Sequence, residues 1–342
     1  MAERPGKTAS EMPKTPATFP PLRTSYEALP ARSPLDEDVL IAVAFGSQAT
    51  TPDDRRCLRI DLEPLVGVAC VEVWRGRGPA RTAVDGLVRY AEDGEHCVGH
   101  LSIDESAAGG LAAATESAYR SLLRFHAGSP YRHVWRMWNF ITDINAGSGD
   151  NERYRQFCLG RARAFAEDAP VTPAIGYPAA SAVGKRSTTR SLEVCWIASR
   201  SPGVMVENPR QVSAYEYPRQ YGPAAPSFSR ATVTAGRLLL ISGTASIVGH
   251  TSMHAGDLAA QLDETLRNID ALLERSSAEH LIRSAALNRG SLVKVYLRNA
   301  SDAASVEREL RRELGPSVSL LILAADICRS DLLIEIEVAH QD

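Results

Sequence analysis

The sequence lacks any apolar run near the roughly 20 residues that a membrane-spanning helix needs, and its opening residues carry no apolar stretch of the secretory type. Cysteine is sparse: the 6 cysteines in 342 residues form no C-x-x-C pair and match no zinc-ligand spacing. That pattern predicts reduced thiols in a cytoplasmic protein. Neither sign of charge is in excess. The 38 Lys and Arg against 41 Asp and Glu leave a net charge of -3, so composition offers no polybasic surface for nucleic acid or an anionic membrane. There is no P-loop, no dinucleotide fingerprint and no G-x-S-x-G elbow. An H-x-x-x-H pair, His250 and His254, occurs in "GHTSMHAG", but it is flanked by glycine and lacks a third ligand. It reads as two loop histidines without metal.

What is present is an ordinary globular balance, 44% apolar and 23% charged, in a length that suggests roughly two domains. Residues 1–36 hold seven of the 20 prolines and read as an extended or disordered arm. After the arm, 39–46, 65–76 and 96–104 are β-rich and bounded by Gly, Pro and Asp, which predicts strands. Residues 110–126 predict an amphipathic helix, 133–141 a strand, 150–168 a helix with Asp150 as N-cap, and 191–199 a strand. The second half repeats the order: strand and turn at 236–247, helix at 257–276, strand at 291–300, helix at 304–314, then strands at 317–325 and 331–340. The repeat predicts two copies of one α+β unit, an N-terminal one over 37–205 and a C-terminal one over 206–342. Between them, 200–228 is rich in Pro, Gly and Tyr and reads as a connector with functional content.

Two stretches carry chemistry. "YRQFCLGRARAF" (154–165) crowds three arginines onto a semi-apolar helix with no acid inside the stretch. Arg161 shares a face with Phe157 and Cys158, whereas Arg163 faces away, and Gly160 permits close backbone approach beside Arg161. In "LLIEIEVAH", Glu335 and Glu337 share one strand face, opposite Ile334 and Ile336.

The second half, over about 115 residues, resembles the YjgF-like reactive-intermediate deaminase family through "SFSRATVTAGRLLLISGTASI", "QLDETLRNIDALL", "VKVYLRN" and "LLIEIEVAH". That resemblance implies a mixed sheet with helices on one face and trimer-like packing of such units, for which a duplicated chain either combines with other chains as a homo-oligomer or docks its two units as a pair. Deaminases of the family carry an arginine on the penultimate strand. "SVSLLILAA" has none, which speaks against imine deamination, while the glutamate of the last strand is kept as Glu335.

From about residue 40 to its end, the chain resembles a narrower family, the chorismatases, through "RMWNFITDIN", "ERYRQFCLGRARAF", "SAYEYPRQYGPAAPSFSRA" and "ISGTASIVGH". The fold implied is α+β, two tandem YjgF-like (chorismate-mutase-like) units. The substrate implied is chorismate, a dianion, with no cofactor, since the reaction needs no redox change. Arg161, Arg155 and Arg219 are then the candidate carboxylate-binding cations, and Tyr215 and Tyr221 candidate hydrogen-bond donors. Glu335 is the candidate acid that protonates the enol-ether CH2 carbon. Cys328 matches the 3-hydroxybenzoate-forming subgroup, acting as thiolate or as neutral thiol, with Arg329 expected on the opposite strand face. Release of a dihydroxycyclohexadiene acid, imine deamination and non-catalytic binding of small carboxylates are the alternatives.

Overall fold

The structure, a computed structural model, describes residues 22–28, 35–47, 49, 51–66, 70–167 and 176–341. The expectations for 1–21 and 29–34 of the arm lie outside them. No helix among the described residues is long and apolar enough to cross a membrane.

Two sheets share one topology. In the first, the hairpin Arg81–Asp85 and Val88–Glu92 leads into the strand His96–Asp104 and the helix Leu111–Gly128. The strand His133–Thr142, the helix Arg153–Glu167 and the strands Ala179–Lys185 and Ser191–Ser199 follow. In the second, Val204–Val206, Ala231–Val233 and Leu238–Ala245 precede the helix Leu258–Ala278. The strand Ser291–Leu297, the helix Ala303–Leu314 and the strands Ser319–Ala324 and Ile334–Gln341 complete it. The order across each sheet corresponds strand for strand. In both, the strand after the long helix pairs in parallel with the strand after the shorter helix. In both, the last strand lies antiparallel beside the former. The duplication expected from element order is therefore present as topology.

A third, four-stranded sheet precedes them: Arg23–Ala28, Cys70–Arg75, Val39–Phe45 and Cys57–Ile60, in that spatial order. It bears on three expectations. Residues 23–28 of the arm form a strand antiparallel to Cys70–Arg75, so ladder hydrogen bonds tie them down. The strand expected over 65–76 is two, because Pro64–Val66 adds an edge to the C-terminal sheet while Cys70–Arg75 stays in the small one. Within the unit expected over 37–205, the described residues up to 75 build the small sheet and that edge, and Val204–Val206, at the expected boundary, pairs with Ala231–Val233 of the second unit.

Each repeated sheet has its helices on one face. Leu122, Tyr119 and Phe157 pack there in the first unit, and Leu262, Ile269, Leu273 and Val306 in the second. The opposite faces of all three sheets meet in one apolar core. Trp135, Trp138 and Phe140 come from the first unit, Leu238, Leu240 and Tyr296 from the second, and Ile41, Val43, Phe45 and Trp74 from the small sheet. Each such side chain contributes about 1.5–3 kcal/mol on burial. Val39–Phe45 is buried at every position, because on its other face Val39, Ala42 and Ala44 cluster with Val71 and Val73 of the adjoining strand, and Leu35, Ala49 and Cys57 pack against them.

Candidate active site

The closing strand sets the site. Ile334 and Ile336 point into the C-terminal helical core, so the period of two turns Glu335 and Glu337 toward the N-terminal unit. Both carboxyls are buried, and their surroundings differ. Glu337 accepts hydrogen bonds from Trp138 Nε1 (2.8 Å), Lys294 Nζ (2.8 Å), Ser181 Oγ (2.6 Å) and Tyr296 OH (3.1 Å), and it pairs with Arg136. Burial opposes its charge, but Arg136 and Lys294 outweigh burial and bring the carboxyl down to about 2. Lys294 pairs in turn with Glu72 of the small sheet. Glu335 Oε1 has no hydrogen-bond partner. Burial, reinforced by the Glu337 anion and opposed by Arg136 and Arg230, pushes Glu335 up to about 8. One strand face thus holds an anion and, at neutral pH, a protonated acid. Gly243 faces Glu335, and a Cβ there would collide with Oε1.

Glu335 opens into a cavity between the two units, walled by Tyr154, Pro226, Phe228, Gly243 and Cys328. The inner part adds Asn139, Phe157, Cys158, Arg161 and Ser181. The outer part adds Arg155, Tyr217, Tyr221, Arg230 and Arg329.

Arg161 reaches the inner part because the helix Arg153–Glu167 packs tightly on Leu111–Gly128. A Cβ at Gly160 would strike the Ala112 carbonyl. Arg161 is 3% exposed and stacks on Tyr119 (4.9 Å) and Phe165 (5.4 Å). One nitrogen donates to Ser227 O (2.5 Å), Nε has no partner, and no carboxylate pairs with it among the described residues. Arg230 is equally buried, at 4% exposed, and donates to Val212 O (2.8 Å) and Tyr217 OH (2.7 Å), again with Nε unpartnered. Among the described residues neither guanidinium forms a direct ion pair, although Glu207 and Glu335 lie close enough to Arg230 to feel its charge, so both arginines keep donor capacity that suits an anionic ligand.

Comparison with known proteins decides the family. The family model for chorismatase FkbO/Hyg5-like, N-terminal, matches residues 72–198. A 3-hydroxybenzoate synthase of Streptomyces hygroscopicus is 37% identical over 320 residues, 89% of this chain and 92% of that protein. The chain belongs to the chorismatase family. A chorismatase of Streptomyces rapamycinicus is 35% identical over 276 residues, 78% of this chain and 80% of that one. A chorismatase crystal structure superposes with a TM-score of 0.83 at 30% identity, covering 94% of this chain and 99% of that one.

The residues singled out in this chorismatase from sequence divide into two groups. Glu335, Cys328, Arg161, Arg155 and Tyr221 line the cavity. Arg155 also meets Glu152 (3.0 Å), and Tyr221 OH lies 3.1 Å from His250 Nδ1. Arg219 and Tyr215 are corrected. Arg219 is exposed and bound to Asp150 (2.5 Å), and Tyr215 stacks on Tyr177 with centroids 4.5 Å apart. Two successive 3-10 turns, Ala214–Glu216 and Arg219–Tyr221, leave Tyr217 and Tyr221 on the cavity and Arg219 between them exposed, while Tyr215 in the first turn faces Tyr177. Asp150 does not cap the helix, which begins at Arg153. Arg163 is exposed, 3.9 Å from Glu116.

Arg329 is a further correction. Residues 325–333 form no named strand, so alternation does not apply, and Arg329 faces the same cavity as Cys328. Its guanidinium lies 4.0 Å from the Tyr221 ring and donates to His250 O (2.9 Å). It does not make Cys328 a thiolate. Burial and Glu335 push that thiol up to about 12 against the pull of Arg329. Arg230, Tyr154 and Tyr217 were missed. Arg230 stands inside the motif "SFSRA", and its missing acid partner was the available signal.

Proposed function

We propose that the chain cleaves chorismate to 3-hydroxybenzoate and pyruvate. The observation that carries this reading is a buried carboxyl, Glu335, raised to about 8 and with Oε1 unpartnered, facing a cavity with two buried arginines that form no direct ion pair among the described residues. Chorismate brings two carboxylates. Arg161 takes one in the inner part, and Arg230, with Arg155 and Arg329 nearby, takes the other in the outer part. Each charge-assisted contact contributes about 1.5–3 kcal/mol. Glu335 delivers its proton to the enol-ether CH2 carbon; the oxocarbenium so formed accepts an oxygen nucleophile at its cationic carbon, and the adduct collapses to pyruvate as the ether bond to the ring oxygen breaks. The resulting Glu335 carboxylate is stabilised by the Arg136 and Arg230 fields that oppose its elevation.

The ring outcome turns on water. Chorismate alone sums to 3-hydroxybenzoate plus pyruvate, whereas the dihydroxycyclohexadiene acid takes up one water as well. Cys328, neutral and partly buried in the wall shared by both parts, supports the first outcome as a group that excludes water from the ring. Imine deamination has no support from the strands. Ser319–Ala324 carries no arginine, and neither does its counterpart Ala179–Lys185. The five cysteines whose side chains are described are free thiols, which suits a cytoplasmic enzyme.

The test is incubation of purified protein with chorismate, pyruvate being followed by a coupled dehydrogenase and the ring products by chromatography. Equimolar pyruvate and 3-hydroxybenzoate are expected, with activity unchanged by EDTA. Diol acid as the main product returns the alternative branch, and binding of chorismate without turnover returns the carboxylate-binding reading.

A further inference from the structure

We infer that Arg298 is a positioning residue that sets the place of Cys328 against the ring and thereby governs the product ratio. The inference rests on the reading of Cys328 as the group that controls ring chemistry.

Cys328 sits on an irregular segment between the strands Ser319–Ala324 and Ile334–Gln341. Such a segment has no ladder of its own to fix it. Arg298, just past the strand Ser291–Leu297, supplies what the ladder does not. Its Nε donates to Leu332 O (2.8 Å), and one terminal nitrogen donates to Asp326 Oδ1 (2.8 Å) and Asn145 Oδ1 (3.1 Å). The other terminal nitrogen donates to Arg329 O (3.0 Å) and Ile327 O (3.4 Å). Four of these five acceptors belong to residues 326–332, and two are the carbonyls on either side of Cys328. The guanidinium is 16% exposed and does not line the cavity, so it acts on the site only through that segment.

The N-terminal unit holds the same segment from the other side. Asn145 Nδ2 donates to Ile327 O (2.9 Å), and Gly184 exchanges backbone hydrogen bonds with Asp326 (2.7 and 3.0 Å). Cys328 is thus fixed at the seam of the two units by a planar fork whose donors diverge in fixed directions. An ammonium group keeps the charge but not the fork.

The experiment measures pyruvate release and the ratio of 3-hydroxybenzoate to diol acid for the parent, Arg298→Lys, Asn145→Ala and Cys328→Ala. Arg298→Lys is expected to keep pyruvate release at the same order as the parent while the ratio falls about tenfold, the scale of one charge-assisted hydrogen bond. Asn145→Ala is expected to shift the ratio in the same direction by less, and it carries the test alone if the Arg298 variant does not fold. An unchanged ratio in both variants, with Cys328→Ala shifting it, overturns the positioning role. An unchanged ratio in Cys328→Ala overturns the reading of the thiol, and this inference with it.

Discussion

Glu335 and Glu337 are two residues apart and are held in opposite protonation states by their neighbours. For Glu335, whose carboxyl is raised to about 8, kcat/KM is expected to be flat at neutral pH and to fall tenfold per unit above about 8, as the donatable proton is lost. Glu335→Gln is expected to lose about 10²–10⁴ in rate, since the amide cannot protonate carbon. The same variant gains stability. An acid raised in the folded state favours the native form fully below its unfolded value of 4.5 and loses that favour as pH rises toward about 8. The parent is therefore expected to weaken over that window, and Glu335→Gln to be more stable at pH 8 by on the order of 4 kcal/mol in chemical denaturation. A variant that lost activity and stability together would make Glu335 a structural carboxylate. Glu337→Gln behaves differently. It leaves Arg136 and Lys294 short of an anion and is expected to destabilise by about 3–5 kcal/mol. For the arginines, Arg161→Ala is expected to lower kcat/KM about ten- to a hundredfold, whereas Arg219→Ala, exposed on Asp150, leaves it near the parent. Equal losses in the two variants would show that facing the cavity is not what distinguishes Arg161 from Arg219.

At the scale of elements, what was legible followed periodicity. The helices Leu111–Gly128, Leu258–Ala278 and Ala303–Leu314 bury one stripe each, and apolar spacing announces them. The strand Ala179–Lys185 was not legible. "AASAVGK" is poor in β-formers because its small residues admit Arg136 and Glu337 beside Ser181, so tertiary packing overrides propensity. The hairpin Arg81–Asp85 and Val88–Glu92 carried a readable signal, Asp85 followed by Gly86, that was passed over. The site divides in the same way. The cavity-facing placement of Glu335 was legible because alternation along a strand is rigid, and that of Arg161 because helical spacing put it with Phe157. Tyr215, Arg219 and Arg329 were misplaced because irregular segments have no period to extrapolate. Gly160 tests the helix contact on which Arg161 depends. Gly160→Ala is expected to cost about 1–3 kcal/mol, since the new methyl meets the Ala112 carbonyl, a backbone atom that cannot rotate away. Unchanged denaturation would mean that the two helices separate freely and that Arg161 is held by its rings instead.

At the scale of the whole molecule, the small sheet changes what the duplication means. Two units with apolar outer faces need a third surface to cover them, and trimer-like packing between chains was one expectation. Here Ile41, Val43, Phe45 and Trp74 from the chain's own first 75 residues occupy the core that both units share. The cover is also electrostatic, because Glu72 pairs with Lys294, which pairs with Glu337. The small sheet thereby reaches to within one strand step of Glu335. The full chain is therefore expected to sediment as a monomer of 37.0 kDa, since the face that other chains would otherwise cover is already buried. A chain beginning at residue 76 exposes that face and leaves Lys294 with one carboxylate instead of two. It is expected to associate or precipitate when expressed alone, and to regain solubility when the 22–75 segment is supplied in trans. Light scattering on both proteins checks the pair of outcomes. A trimeric full chain, or a soluble monomeric fragment, would mean that the small sheet is an ornament on the two units and not their third wall.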